Sequence, residues 1–164
     1  MRSSTKQRWI LVGSLICLGA AVASGATVPL GELDLTKMST GWGKPQVNKS
    51  ITARTLSIGG RTFETGVATH AESICYIALD GKTERFTAWV GVDDATGPRG
   101  SVRFKVFGDG KVLFDSGLMT GNDEAKRVDV SLAGVTQMVL LVSSGGDGVD
   151  YDHANWAQAE FTVG

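Results

Sequence analysis

The chain has 164 residues, with 16 Lys and Arg against 17 Asp and Glu, a formal net charge of −1, 42% hydrophobic residues and 22 glycines. A near-neutral chain of this kind has no electrostatic footprint for nucleic acid or an anionic membrane surface. Outside the apolar start of the chain there are two histidines and one cysteine, Cys75, too few for a structural zinc site, which takes four Cys or His ligands at tight spacing.

Residues 1–26 read as a secretory signal. Arg2, Lys6 and Arg8 form a positive start, and "WILVGSLICLGAAVA" (residues 9–23) is apolar but shorter than the roughly 20 residues that span a bilayer. Small residues then allow cleavage after Ala23 or after Ala26, and bulky Ile16 before Cys17 argues against lipoprotein processing. A retained membrane anchor is the competing reading. Cleavage removes three basic residues and no acids, so 13 against 17 leaves the mature chain at −4. What remains, residues 27–164, suits one secreted or periplasmic domain with no membrane association. Its single cysteine, Cys75 in "SICYIAL", permits no internal disulfide and reads as a small buried side chain.

Along the mature chain, "TVPLGELDLTKMST" and "GWGKPQVNKS" are loop-like, and short alternating runs punctuated by glycine follow. "RTLSIGGRTFETG" predicts a hairpin turning at Gly59 and Gly60. "SICYIALDGKTERFTAWVGV" repeats that pattern, with a turn at Asp80 and Gly81. "SVRFKVFGDGKVLFDSG" is the clearest hairpin, with Val102, Phe104 and Val106 alternating against Arg103 and Lys105 before a Gly-Asp-Gly turn. "TGNDEAKR" reads as a solvated loop. In "KRVDVSL", Val128, Val130 and Leu132 share a face, and the continuous run in "QMVLLVSS" predicts a central strand covered on both sides. In "WAQAEFTV", Ala157, Ala159 and Phe161 point into the core. About eight to ten short antiparallel strands predict an all-β domain, a sandwich of jelly-roll type.

Candidate chemistry sits in loops. His70 and His153 lack the spacing of a metal-binding helix pair, and no G-x-S-x-G elbow supports a hydrolytic triad. "GVDDATGPRG" and "GGDGVDYDHAN" are oxygen-rich turns, so Asp93, Asp94 and Asp150 are candidate calcium ligands, with ordinary Asx-turns as the alternative. Five of the six phenylalanines, Phe86, Phe104, Phe107, Phe114 and Phe161, lie in alternating runs and are assigned to the core. Trp42, between glycines, and Trp156, at a strand start, could each face solvent or cap the core. A ring beside Arg, His, Asp and Asn suits a sugar, which has an apolar C–H face and a rim of hydroxyls.

These residues carry a family resemblance. "GWG", "LSIGGRTFETGVATHAES", "RFTAWVGVDDATGPRGSVRFKVFGDGKVLFDSG", "VTQMVLLVSSGGDG" and "VDYDHANWAQAEF" together span nearly all of the mature domain. In these motifs the chain resembles the NPCBM domains, novel putative carbohydrate-binding modules related to family 51 carbohydrate-binding modules and attached to glycoside hydrolases. The resemblance implies a jelly-roll sandwich that binds galactose-containing glycans, in some cases with calcium. It matches the family pattern at His70, Asp93, Asp94, Arg99, Asp152, His153 and Trp156. The carbohydrate-binding set expected from it is Trp42, His70, Arg99, Asp152, His153 and Trp156, while Asp93 and Asp94 either bind metal, cap a turn or pin Arg99. Such domains ride on a catalytic module, whereas this sequence ends at Gly164 after its last strand-like run, so no enzymatic activity is carried over. The expectation is a non-catalytic module with a glycoside hydrolase partner. The alternatives are an exported structural or protein-interaction sandwich and a fragment of a glycoside hydrolase.

Overall fold

The computed structural model describes residues 9–12, by their backbone, and residues 25–164. Most of the stretch assigned to a secretory signal, residues 1–8 and 13–24, lies outside the described residues.

One sheet is built from β1 (Trp9–Val12), β7 (Ser73–Leu79), β12 (Gln137–Ser144), β9 (Ser101–Gly108) and β10 (Lys111–Thr120), in that spatial order. The facing sheet runs β11 (Lys126–Ser131), β8 (Thr83–Val92), β13 (His153–Val163), β6 (Gly66–His70) and β3 (Gln46–Val47), with β2 (Ala26–Pro29) also pairing β13. Strands β6 to β13 thus form two four-stranded antiparallel layers, β7-β12-β9-β10 over β11-β8-β13-β6, the arrangement of a jelly roll. β1 adds to the free edge of β7 in parallel. A small hairpin, β4 (Leu56–Ile58) with β5 (Arg61–Phe63), turns at Gly59 and Gly60 as its sequence predicts.

Period-two patterning explains why these segments become strands. In β9, Val102, Phe104 and Val106 are buried while Arg103 points outward, and Val128, Val130 and Leu132 are buried together at β11. Between the layers, Phe104 meets Trp156 edge-on with ring centroids 5.1 Å apart, and Phe86 packs against Phe161 at 5.0 Å. These contacts form the centre of a core that also holds Cys75, Met119, Met138 and Leu140. Burial pushes the Cys75 thiol up to about 12, so it is an inert packing group.

Three expectations change. β7 and β8 lie in different sheets, so the turn at Asp80 and Gly81 is a crossover between layers and not a hairpin. β12 is central in its sheet, yet only Met138, Leu140 and Val142 are fully buried, while Val139 and Leu141 lie half-covered on the outer face. Phe107 likewise lies half-buried on that outer face, opposite Val112 and Val139.

The third layer positions the functional site. Leu56, Ile58 and Phe63 from the hairpin, with Ile51, pack on Ala68 and Ala157, which belong to the outer face of the β6-β13 pair. The hairpin covers one end of that face. The other end, at His70 and His153, is left to loops.

Candidate functional site

β6 and β13 pair antiparallel in a register that sets His70 opposite His153, with ring centroids 5.4 Å apart. A short strap crosses them. Gly41 N donates to His70 O at 3.1 Å, His70 N donates to Thr40 Oγ1 at 3.1 Å, and Thr40 Oγ1 donates to Trp42 O at 2.8 Å. The approach is so close that a Cβ on Gly41 would lie 2.0 Å from Ala71 O, which is why the position is glycine. The strap lays the Trp42 ring parallel to the His153 ring, at 5.8 Å and 7°, and 6.0 Å from His70. Trp42 is nevertheless 54% exposed.

The opposite wall comes from the loop before β13, through Val149, Asp150 and Tyr151. Tyr151 takes a left-handed φ of 65°, and its carbonyl passes 2.4 Å from where a Cβ on Gly100 would stand. Arg99 braces the wall from behind: its guanidinium carbon lies 3.9 Å from the Tyr151 ring centre, and its Nε donates to Thr96 O at 3.1 Å. The result is a shallow depression of about 430 Å³, with Trp42 on one side, Tyr151 on the other and the two imidazoles as its base.

The polar groups of the base have defined roles. His70 Nδ1 lies 2.7 Å from Ala71 O, and a carbonyl can only accept, so Nδ1 donates to it and Nε2 is the ring nitrogen left for a ligand. Burial and then the neighbouring His70 hold the His153 imidazole below its usual range, with Asp93 opposing them, and His153 Nδ1 is buried without a partner among the described residues.

Of the predicted binding residues, Trp42, His70 and His153 come together. Arg99 stands behind the wall and acts through Tyr151. Asp152 is buried beneath the base: Oδ1 accepts from Ser101 N at 2.9 Å, its carbonyl accepts from Ala71 N at 3.1 Å, and burial raises its carboxyl. It holds the loop and does not face the depression. Trp156 is 1% exposed and sits at the centre of the main core, so its ring has no surface to offer a ligand.

The three acids considered for calcium separate. Asp93 is buried and accepts from Ala95 N at 3.0 Å and Asn155 Nδ2 at 2.7 Å. Asp94 accepts from Ser57 Oγ, from Gly59 N at 2.7 Å and from Gly60 N at 2.9 Å, tying the β4-β5 turn to the barrel end. Both carboxylates face N–H and O–H donors, whereas a calcium ion needs six to eight inward-facing oxygens, so these residues do not fit that ion. Asp150 is exposed and belongs to the wall of the depression. The described residues contain no group of three or more His, Cys, Asp or Glu able to hold a metal ion. Tyr151 belongs to the loop, residues 151–155, that the sequence places toward the cleft, whereas Val149 is not among the expected residues; an apolar side chain inside the polar run "GGDGVDYD" is the signal for it.

Comparison with known proteins agrees with this architecture. Residues 26–162 match the NPCBM/NEW2 domain. Alpha-1,3-galactosidase B of Akkermansia muciniphila is 33% identical over 133 residues, covering 79% of this chain but 16% of the galactosidase. A putative endo-alpha-N-acetylgalactosaminidase of Renibacterium salmoninarum is 33% identical over 129 residues, or 8% of its length. The chain therefore spans a small fraction of the curated relatives it matches. Among solved structures, the CBM51 module of Clostridium perfringens GH95, in complex with methyl-galactose, superposes with a TM-score of 0.78 at 34% identity, covering 84% of this chain and 100% of that one. The CBM51-2 and INT domains of Clostridium perfringens ZmpB, in complex with GlcNAc, superpose with a TM-score of 0.78 at 25% identity, covering 84% of this chain and 32% of that one. By a match that covers residues 26–162 of the 164, the chain belongs to the NPCBM/NEW2 domain family.

Proposed function

We propose that the protein is a secreted, non-catalytic carbohydrate-binding module that takes a galactose-type sugar in the depression over Trp42. The observation that carries the reading is an exposed tryptophan held flat on His153 beside the His70 ring. A pyranose offers a C–H face to such a plate and hydroxyls to Nε2 of His70 and to Asp150. The depression is at the small end of ligand sites, which favours a single terminal sugar over a long chain. The methyl-galactose complex of the CBM51 relative supports galactose as the class. The galactosidase and galactosaminidase relatives support a role in carrying a glycoside hydrolase to its glycan. The positively charged, apolar start of the chain and the glycan-degrading relatives support export.

Calorimetric titration with methyl galactoside, in the presence of a chelator, tests this directly. Binding in the millimolar to micromolar range, about −4 to −8 kcal/mol, is expected. Absence of heat with galactose, N-acetylgalactosamine and glucose derivatives alike would leave the sandwich an interaction domain without a sugar ligand.

Two further results are expected. Gly41→Ala drives a methyl group into Ala71 O, so the strap must lift and carry Trp42 away; galactoside affinity falls by about tenfold or more while most of the fold survives. His153 gives a pH signature. Because burial holds its folded pKa below the ordinary 6.5, the unfolded chain takes up a proton before the folded one does. Stability is flat above 6.5 and falls as pH drops below it, and thermal unfolding between about pH 8 and pH 5 reads this. In His153→Asn that part of the slope disappears.

A further inference from the structure

A second arrangement of aromatic and polar side chains lies on the outer face of the β8 sheet and shares no residue with the depression. Trp89 of β8, half-buried, stands opposite Arg127 of β11 and Ala157 of β13. The Arg61 guanidinium, from β5, reaches over it, 4.2 Å from the Trp89 ring and 4.7 Å from Phe63, and the Arg127 guanidinium lies 5.4 Å from the same indole.

Neither arginine belongs to an ion pair among the described residues, whose pairs are formed by Lys37, Arg85, Arg103 and Lys105. None of the acids Asp123, Glu124, Asp129 and Glu160 pairs with either arginine among the described residues. Asp129 pairs with Arg85, Asp123 accepts from Thr120 N, and Glu124 and Glu160 make no bond to either guanidinium. Cation–π attraction at these distances holds both guanidinium groups against the indole, and neither fork donates a hydrogen bond among the described residues. Two such forks braced on one indole are preorganised donors for an oxyanion, which arginine grips in bidentate fashion.

We propose that Arg61 and Arg127, braced on Trp89, form a second binding site for an oxyanion-bearing saccharide, one that carries a carboxylate or a sulfate group. That the ligand is a saccharide rests on the function proposed above; that it is an anion rests on the arginines alone.

The test is an NMR titration of the protein with N-acetylneuraminic acid and with galactose 6-sulfate, reading the Trp89 indole N–H, which Trp89→Phe identifies. A saturable shift of that resonance with at least one of the two sugars is expected, weaker at higher salt and about tenfold or more weaker in R61Q/R127Q. The responding sugar distinguishes carboxylate from sulfate. No shift with either sugar, an undiminished shift in a double variant with unchanged thermal unfolding, or an equal response to inorganic sulfate alone would overturn the proposal. Methyl galactoside should move Trp42 and leave Trp89 still, in the parent protein and the double variant alike. If Trp42 fails to respond while Trp89 responds to the anions, the galactose reading fails and the anion site stands.

Discussion

Trp156→Ala lowers the stability of the domain by about 3–5 kcal/mol, the cost of emptying a tryptophan-sized volume in a packed core. The ring is 1% exposed and touches Phe104 edge-on and Phe86 at 6.2 Å, so both sheets lose their common contact. That is a large share of the 5–15 kcal/mol that holds a typical domain together, and the thermal transition should fall by about 10–17 °C, at roughly 3–4 °C per kcal/mol for a domain of this length. Thermal or urea unfolding measures it. A change below about 1 kcal/mol would mean that Trp156 does not hold the sandwich.

Trp42→Ala gives the opposite pattern. The ring is 54% exposed and rests on two imidazoles at the surface, so removing it changes stability by about 1 kcal/mol or less. Binding of methyl galactoside should weaken by about 2 kcal/mol or more, roughly thirtyfold, because the ring is the largest apolar surface in the depression. Calorimetry on the variant, alongside its unfolding curve, separates the two effects. Two tryptophans that look alike in sequence are thereby split, one to stability and one to recognition.

What separates them is a single residue. Strict alternation through "WAQAEF" puts Ala157, Ala159 and Phe161 on one face and leaves Trp156 on the other, toward the loop cluster. All three are indeed buried, yet Ala157 belongs to the small cluster under the hairpin, while Trp156, Ala159 and Phe161 share the main core. Gln158 explains it: with φ 48° it forms a bulge, so β13 spans Ala157 to Glu160 while β8 spans Trp89 to Thr87. One extra residue flips the parity of everything before it. A bulge at a glutamine leaves no mark in composition or period, so the burial of Trp156 was not legible. The jelly roll itself was, because Val102, Phe104 and Val106 or Val128, Val130 and Leu132 alternate without interruption.

The acid pair Asp93 and Asp94 shows a second limit. An Asp-Asp-Ala-Thr-Gly turn after a strand is as consistent with an ion as with a cap, and only the partners decide. Asn155, 62 residues away, and the amides of Gly59 and Gly60 supply the donors. These contacts fix the barrel end on which the depression rests, since Asp93 N also donates to His153 O at 3.0 Å. His70 and His153 were legible as a pair of candidates, but their register across β6 and β13 and the strap that stacks Trp42 on them arise from pairing 83 residues apart, beyond any local motif. Arg99 was legible as a site residue, though its part is to brace Tyr151 from behind.

The most direct measurement of the central claim is an NMR titration of the protein with methyl galactoside, reading the indoles of Trp42, Trp89 and Trp156 together. A saturable shift of the Trp42 indole, accompanied by the His70 and His153 ring signals and absent from Trp156, is the predicted result. A response confined to other tryptophans, or no response at all, would contradict it.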